Sequence, residues 1–298
     1  YSTINKQLIG FFSASYNKFN QTSSYYLKNF SLSGTTSHYD ENLRYSLLSA
    51  SANIVVRPSN LRENRKEIIR FFWQYVNREQ NTDQIQKPNY TIGGLSYIIS
   101  NKNALDYFTM VSNFQAGSKF GKLSLRADYR HLTNSGRQFS FRLFAGKFLW
   151  KNNLNTDYFS FALDRPTDYL FQYNYFGRSE TTGIYSQQYI PAEGGFKAKF
   201  DNPLANNYLV TANTSMGIWK WVEAYADLGL IKQDGQQSRF LFDSGLRLNL
   251  LPDYLELFFP VFNSNGFEFD QPNYEQKIRF VLVLDPLTLT QLFSRKWF

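Results

Sequence analysis

The sequence predicts an all-β protein, specifically a transmembrane antiparallel up-and-down β-barrel, and three observations lead to this fold class. Apolar and polar residues alternate with a period of two along most of the chain, as in strands with one apolar and one polar face. The alternating segments run for about 10–13 residues, near the roughly 9–11 that cross a bilayer and above the roughly 5–6 of soluble strands. Aromatic residues are abundant, with 29 Phe, 21 Tyr and 5 Trp among 298 residues, yet the mean hydropathy is −0.43.

Composition excludes several other classes. No stretch approaches the roughly 18–20 uninterrupted apolar residues that a membrane-spanning helix needs. The absence of cysteine removes disulfide frameworks, zinc–thiolate sites and cysteine nucleophiles, and two histidines, His38 and His131, leave little material for an imidazole metal site. No metal or other cofactor is therefore predicted. The net charge of +8 is spread along the chain, so nucleic acid is not an expected partner.

Fifteen segments carry the strand pattern. In the clear segment 122–132, for example, Leu123 and Leu125 alternate with Ser124 and Arg126. Because bacterial single-chain barrels have an even number of strands, one of the fifteen has to be wrong. The first four are the least regular, and dropping or merging one of them gives 14 strands, with 12 or 16 as alternatives. The predicted segments are 7–16, 25–35, 43–56, 67–79, 90–100, 104–116, 122–132, 138–149, 157–165, 168–177, 207–218, 221–232, 238–250, 253–262 and 275–285.

From the fifth segment on, tight turns alternate with longer connections, as in barrels with short periplasmic turns and longer outer loops. This pattern places the connection 178–206 outside, as a lid, a partner surface or a loop without a role, and the C-terminus in the periplasm. Residues 196–200 also alternate, but the run is too short to span, so we predict a hairpin within that loop. Residues 1–298 are predicted to form one barrel domain, with 286–298 as a periplasmic tail.

The polar faces of the predicted strands carry a charge network that we expect to line the lumen. Opposite charges on neighbouring strands of one face can pair. Two interpretations remain open: a pore whose charge pattern selects solutes, or a set of ion pairs that fills an interior too narrow for water flow. The candidate residues are Arg126, Asp128, Arg130, Arg142, Glu223, Asp227, Arg239, Asp243 and Arg247.

Tyrosine and tryptophan near the segment ends predict aromatic girdles at the two membrane interfaces, and the candidates are Trp73, Tyr129, Trp150, Trp219 and Trp221. The chain ends in Phe298, and a C-terminal aromatic residue resembles the signal by which the barrel assembly machinery recognises Gram-negative outer-membrane barrels. That resemblance implies the bacterial outer membrane, with the bilayer, lipopolysaccharide, the assembly machinery and other outer-membrane or periplasmic proteins as partners. The family pattern alternates up to its last residue, whereas Pro286 interrupts the alternation here.

A second resemblance concerns origin. The richness in Asn, Tyr and Phe is similar to that of barrels of the Bacteroidota. The run 277–284, with 257–261 before it, resembles the C-terminal barrel region of large aminopeptidase-N-like zinc peptidases of that group, over roughly the last 50 residues. It implies a peptidase domain upstream of Tyr1, since the motif His-Glu-x-x-His does not occur in the sequence. The start at Tyr1 without Met also leads us to expect a processed chain or part of a longer one.

Three functions follow as hypotheses. The first is a membrane anchor or interaction scaffold for an upstream domain or partner complex, and the second is a porin-like solute channel or transporter with a charged lumen. The third is a hydrolase on the barrel, because outer-membrane phospholipases place a Ser-His dyad on the lipid face, where His131 is predicted, and His38 lies near Asp40 as in omptin-like proteases. A catalytic histidine needs a nucleophile and an orienting partner, and the sequence designates neither, so we predict no enzyme activity within this chain.

Overall fold

The computed structural model describes residues 10–20, 25–40, 43–56, 64–80, 89–152, 157–173, 183–251 and 254–282. Most of these residues belong to one antiparallel sheet of 14 strands, in which neighbours in sequence are neighbours in space. This finding confirms the predicted all-β, antiparallel, up-and-down architecture and its strand count. Within the described ranges, no helix has the length and apolar character needed to cross a membrane.

Twelve strands of the sheet are long, with 9–16 residues each, and two are short. The long strands are β1 (Gly10–Phe19), β2 (Tyr25–Asp40), β3 (Leu43–Val56), β4 (Arg65–Gln80), β5 (Asn89–Lys102), β6 (Asp106–Gly117), β7 (Phe120–Leu132), β8 (Gln138–Lys151), β11 (Tyr208–Trp219), β12 (Val222–Lys232), β13 (Arg239–Leu251) and β14 (Leu255–Asn263). The short ones are β15 (Gly266–Phe267) and β16 (Arg279–Leu282). A separate two-stranded sheet pairs β9 (Phe161–Ala162) with β10 (Leu204–Ala205).

One connection of the sheet, between the adjacent strands β8 and β11, is long, and the sheet has two ends. Strands β1 to β8 follow one another, β8 pairs directly with β11, and β11 to β14 continue the order. Both β15 and β16 pair with the remaining edge of β14, at its end and its start respectively. In the described part of the chain, β1 and the β15–β16 edge are therefore the ends of the sheet, and no pairing between them is seen.

Each long strand has one outward and one inward face. In β11, Val210 is 40% exposed while Leu209 and Thr211 on either side of it are 0% and 1% exposed. The outward face of the sheet carries exposed apolar side chains, among them Phe71, Leu95, Phe108, Leu123, Leu125, Phe141, Leu143, Val210, Met216, Leu228, Leu230, Phe240 and Leu246. A strand-rich sheet with such a face is compatible with an outer-membrane barrel.

The sheet curls around an inner segment, residues 157–173 and 183–205, which we call the plug. Phe171 of the plug stacks on Tyr45 of β3 with ring centroids 4.0 Å apart, and the backbone carbonyl of Asp164 accepts a hydrogen bond from Arg279 of β16 at 3.0 Å. In a flat sheet, β3 and β16 would lie roughly 50 Å apart. The chain from Asp164 to Phe171 spans at most about 25 Å. The sheet must therefore be curved, and we call the space on its concave side the lumen.

The plug corrects three predictions. Segment 157–165 and residues 168–173 of the next predicted segment are not strands of the main sheet, because β8 pairs directly with β11 and leaves no place between them. Residues 183–205 belong to a connection at the loop end, as predicted, but they fold back into the lumen, where Arg142 donates to the carbonyl of Glu193 and Asn213 to that of Gly194. The 157–165 pattern alternates because Phe159, Phe161 and Leu163 pack in the aromatic core and the residues between them are small or polar. The four segments expected to be least regular are all strands, β1 to β4. The strand predicted at 275–285 begins only at Arg279, because Tyr274–Gln276 form a short 3-10 helix, and it is described as far as Leu282.

The two ends of the lumen differ. At the turn end, short turns at 103–105, 133–137 and 220–221 join β5 to β6, β7 to β8 and β11 to β12. At the loop end, residues 152–207 join β8 to β11 and residues 264–278 follow β14 and include β15. Short and long connections thus alternate as predicted around most of the second half of the sheet, although residues 118–119 form a short turn at the loop end.

The alternation predicts a large difference in reactivity between adjacent positions. Because the chain has no cysteine, Val210→Cys and Thr211→Cys each introduce a single thiol. We expect N-ethylmaleimide, which enters detergent micelles, to modify the outward Cys at 210 rapidly and the buried Cys at 211 only after unfolding, as followed by intact mass. Equal rates at the two positions would contradict the assigned faces.

Candidate functional site in the lumen

An aromatic core fills the lumen near the loop end. The wall contributes Phe120 and Phe148, and the plug contributes Phe161 and Tyr169, all of them at most 7% exposed. The rings of Phe148 and Phe161 meet edge to face at 5.2 Å between centroids, and those of Phe120 and Tyr169 at 6.2 Å. The wall residues stand at inward positions, where the sequence analysis expected polar side chains. This apolar part of the inward face binds the plug.

Lys122 of β7 lies within the aromatic core and is 3% exposed. Its Nζ donates to the backbone carbonyl of Phe159 at 3.0 Å and stands 4.4 Å from the ring centroid of Tyr169 and 4.8 Å from that of Phe161. A buried ammonium is costly to desolvate unless it is compensated, and ring faces and a carbonyl supply that compensation here. Lys122 therefore ties the plug backbone to the wall.

Other inward side chains hold the plug through its backbone. Irregular backbone in a dry interior needs hydrogen-bond partners, because each unpaired amide or carbonyl is costly. The bonds run from Gln74 to the carbonyl of Leu170 (2.9 Å), from Arg142 to those of Ala192 (3.1 Å) and Glu193 (2.8 Å), from Asn213 to that of Gly194 (3.1 Å), and from the amide of Ala198 to Asp243 (2.7 Å). Four strands of the wall thus fix one conformation of the plug.

A pair of glycines lets the plug fold back on itself. A Cβ on Gly194 would lie 2.6 Å from the Cα and carbonyl oxygen of Leu163, which is backbone and cannot give way. Gly195 has φ +69°, a left-handed conformation that glycine adopts without strain. Residues 194–195 therefore require glycine for two different reasons, close approach and backbone conformation.

The nine predicted lumen charges all lie on inward positions, in separate groups. Arg126 and Arg142 both contact Asp128, at 2.9 Å and 3.7 Å. Glu223 and Arg247 pair at 3.0 Å, and Arg247 also binds Glu256 at 2.5 Å. Asp227 and Asp243 bind the plug, and Arg239 donates to the plug carbonyl of Asn202 at 2.7 Å. Arg130 lines a cavity.

Asp227 shows why the plug completes this network. It lies directly opposite Asp243 on β13 and Asn213 on β11, so neither cross-strand neighbour supplies a positive charge. The cation comes instead from the plug, whose Lys197 Nζ lies 2.6 Å from Asp227 Oδ1, while Asn213 donates to the same oxygen at 3.0 Å. Asp227 is 0% exposed. Sequence reasoning missed Lys197 and Glu256, because their partners are set by the path of the plug and by the register of β14.

Two carboxyl groups outside the strands have pKa values shifted in opposite directions, one inside the lumen and one at its rim. Burial raises the pKa of Asp164 in the plug, although Arg279 lies near and the backbone amide of Phe200 donates to Asp164 at 2.8 Å. Asp234, in the turn between β12 and β13, accepts hydrogen bonds from Lys151 and Asn207, and these bonds lower the pKa of Asp234. Its side chain is 47% exposed, so solvent screens that ion pair.

The five candidate interface aromatics divide between the two ends. Trp73 on β4 and Trp150 on β8 lie in the same row of directly paired residues, which crosses the sheet on the loop-end side. The residues between them in this row are Gly93, Ala116 and Gly121. Trp219 and Trp221 flank the turn between β11 and β12, and Tyr129 lies near the turn end of β7, where its hydroxyl donates to Asp106 at 2.8 Å. All four tryptophans are more than 40% exposed. Phe298 lies outside the described residues.

His131 has a partner but no nucleophile beside it in the described structure. Its Nδ1 lies 2.8 Å from Asp106 Oδ1, on the same carboxylate that Tyr129 binds. The side chain of His38 lies outside the described residues. In the part of the chain that the structure describes, no group of three or more acidic or histidine side chains is placed to hold a metal ion. The observed contacts of His131 are those of a hydrogen-bonded cluster with Asp106 and Tyr129 at the turn end.

Three cavities surround the plug. The largest, about 820 Å³, lies toward the turn end between the plug and β7, β8 and β14. A second of about 240 Å³ and a third of about 340 Å³ continue around the other side, where Ser31, Ser49 and Asn113 are part of the lining. Neighbouring cavities share lining residues, Arg126 and Arg142 between the first two and Gln115 and Leu170 between the last two.

The class that these features define is an antiparallel 14-stranded sheet, apolar outside, that wraps around an inner plug. No protein-family model matches the chain, and no curated protein is significantly similar to it.

The buried pair between Asp227 and Lys197 gives a stability prediction. Asp227→Asn leaves the ammonium of Lys197 buried without its counter-charge, which we expect to cost about 3–5 kcal/mol of unfolding free energy. Urea-induced unfolding from lipid vesicles measures it. The matched control is Asp234→Asn, which removes the half-exposed pair with Lys151 and should cost about 1 kcal/mol or less. Similar losses in the two variants would show that the plug pair is not a buried ion pair.

Proposed function

We propose that the chain is an outer-membrane β-barrel that acts as a membrane anchor or interaction scaffold for an upstream domain or a partner complex. The observation that carries this proposal is the plug. Its aromatic residues pack on the wall, and its backbone is hydrogen-bonded by side chains of β4, β8, β11 and β13. A lumen filled in this way favours an anchor over an open pore.

The outer surface supports a membrane location. Its exposed apolar side chains would face the hydrocarbon, and the tryptophans near both ends would lie at the two interfaces. We assign the turn end to the periplasm and the loop end to the outside, because short periplasmic turns are usual in this class. In a bilayer the edge of β1 needs a partner, since an unpaired strand edge in hydrocarbon is costly, and we assign closure to the C-terminal part of the chain.

The proposed partners follow from that location. They are the bilayer, lipopolysaccharide, the barrel assembly machinery that would read Phe298, and outer-membrane or periplasmic proteins. A Bacteroidota origin, proposed from the richness in Asn, Tyr and Phe, and an upstream aminopeptidase-N-like domain, proposed from residues 257–261 and 277–284, would make the barrel the membrane anchor of a peptidase. The described lumen offers no catalytic constellation of its own, which supports placing any activity outside it.

A solute channel is the second candidate, and the cavities favour it. Three cavities that share lining residues lie around the plug, and the 340 Å³ cavity is lined largely by hydroxyl and amide side chains such as Ser31, Ser49 and Asn113. Small polar linings suit water and small solutes. The two candidates differ in whether ions cross the barrel.

Conductance in planar bilayers separates the two functions. For an anchor, we expect no stable current steps from the wild-type chain and clear steps when a short Gly-Ser linker replaces residues 157–205. If that deletion does not fold, Gly194→Ala, which drives a methyl group against Leu163, should produce intermittent steps, whereas the control Gly93→Ala, 3.8 Å from its nearest neighbour, should produce none. Steady wild-type conductance that is unchanged by these variants would favour the channel.

The size of the native protein tests the anchor proposal directly. We expect the protein isolated from its membrane to have an intact mass well above 34.9 kDa, or to copurify with a stoichiometric partner, because an anchor needs a load. Mass spectrometry with N-terminal sequencing measures it. A native mass near 34.9 kDa without a bound partner would contradict the anchor function and leave the channel.

A further inference from the structure

The cavity of about 820 Å³ at the turn end has the properties of a ligand site. Its size lies within the roughly 300–1,000 Å³ of small-molecule pockets. It reaches the turn end of the lumen, because Tyr107, Arg130 and Gln138 in its lining stand within two residues of strand ends there. The plug closes it toward the loop end through residues such as Tyr189 and Pro191.

One wall of the cavity is cationic. Its lining includes Arg126, Arg130, Arg142, Lys197 and Arg247, against Asp128 and Glu256 as the acids. Arg126 is the most available of the paired cations, because its side chain is 48% exposed, against 18% or less for Arg142, Lys197 and Arg247, and it contacts Asp128 through Nε at 2.9 Å. The guanidinium group has further N–H donors in a planar fork that matches a carboxylate. This wall is suited to bind an anionic group.

The side of the cavity formed by β14, β16 and the plug carries most of the apolar lining, although Arg247 lies over Phe258, with 5.6 Å between its guanidinium carbon and the ring centroid. Phe258 of β14 and Val281 of β16 stand at inward positions of adjacent strands, beside Ile190 of the plug. The ring of Phe258 lies 4.9 Å from that of Tyr189. A cavity with a cationic part and an apolar part selects a molecule with an anionic end and an apolar body.

We propose that this cavity binds a small anionic amphiphile, with its carboxylate at Arg126 and Arg130 and its apolar body against Phe258, Val281 and Ile190. The ligand enters from the turn end. Arg126, Arg130, Phe258 and Val281 are not among the side chains that hold the plug, although Arg142, Asn213 and Lys197 in the same lining take part in plug contacts. The proposal does not depend on the anchor function, because a plugged barrel with no conductance can still bind the ligand.

Calorimetric titration of the full chain in phosphatidylcholine nanodiscs with 2-naphthoate tests the proposal. We expect saturable binding, and binding about tenfold weaker in Arg126→Gln, the loss that follows removal of a charge-assisted hydrogen bond. The uncharged analogue 2-naphthalenemethanol should show no saturable binding. The matched control is Arg239→Gln, since Arg239 lies at the loop end, bonds the carbonyl of Asn202 and is not part of this lining.

A second variant tests the apolar wall. Val281→Trp keeps every cation and fills the cavity, and we expect it to abolish 2-naphthoate binding with no change in the unfolding transition. The proposal is overturned if the wild-type chain shows no saturable heat. It is also overturned if Arg126→Gln binds as tightly as the wild type, or if Arg239→Gln weakens binding equally.

Discussion

Backbone that runs through the inside of a barrel must find hydrogen-bond partners there, and the remaining features of this lumen depend on that requirement. The plug has little regular structure, so its amides and carbonyls turn to the wall. Lys122, Arg142 and Asn213 donate to its carbonyls, and Asp243 accepts from one of its amides. These side chains occupy inward positions on four different strands, which is possible only because the sheet curves around the plug.

The wall contacts the plug through apolar side chains near the loop end and through charged side chains nearer the turn end. Near the loop end the inward residues Phe120, Phe148 and Leu209 are apolar and form a core with the plug, so burial supplies the affinity there. Nearer the turn end the inward residues are charged, and Asp227 uses a plug lysine as its counter-ion. A buried ion pair adds little net stability, but removing one partner is costly. The pair therefore fixes the position of the plug more than it adds to the free energy of unfolding.

The strands could be predicted from sequence because a period of two is a local property, and the segments at 122–132 and 221–232 match β7 and β12 to within two residues. The plug could not, because Phe159, Phe161 and Leu163 alternate with polar or small residues as a strand does. A sequence signal for the plug does exist in the wall strands: Phe120, Phe148 and Leu209 are apolar residues on an otherwise polar face, which indicates that something apolar packs against them. The partners of the lumen charges depend on strand register and on the plug, and neither is encoded in the spacing of one segment.

The two sides of the lumen satisfy their polar groups in different ways, and the difference bears on where a ligand can bind. On β1 to β3 the inward side chains bond to each other across strands, Ser31 to Ser51 at 2.7 Å and Asn53 to Asn29 at 3.0 Å. These groups already hydrogen-bond to each other instead of to water, so they have fewer donors and acceptors available for a solute. On β7, the side chain of Arg126 is 48% exposed although it contacts Asp128. A guanidinium group that stays exposed beside apolar side chains, rather than the volume of the cavity, makes the β7–β8 side the better place for an anionic ligand.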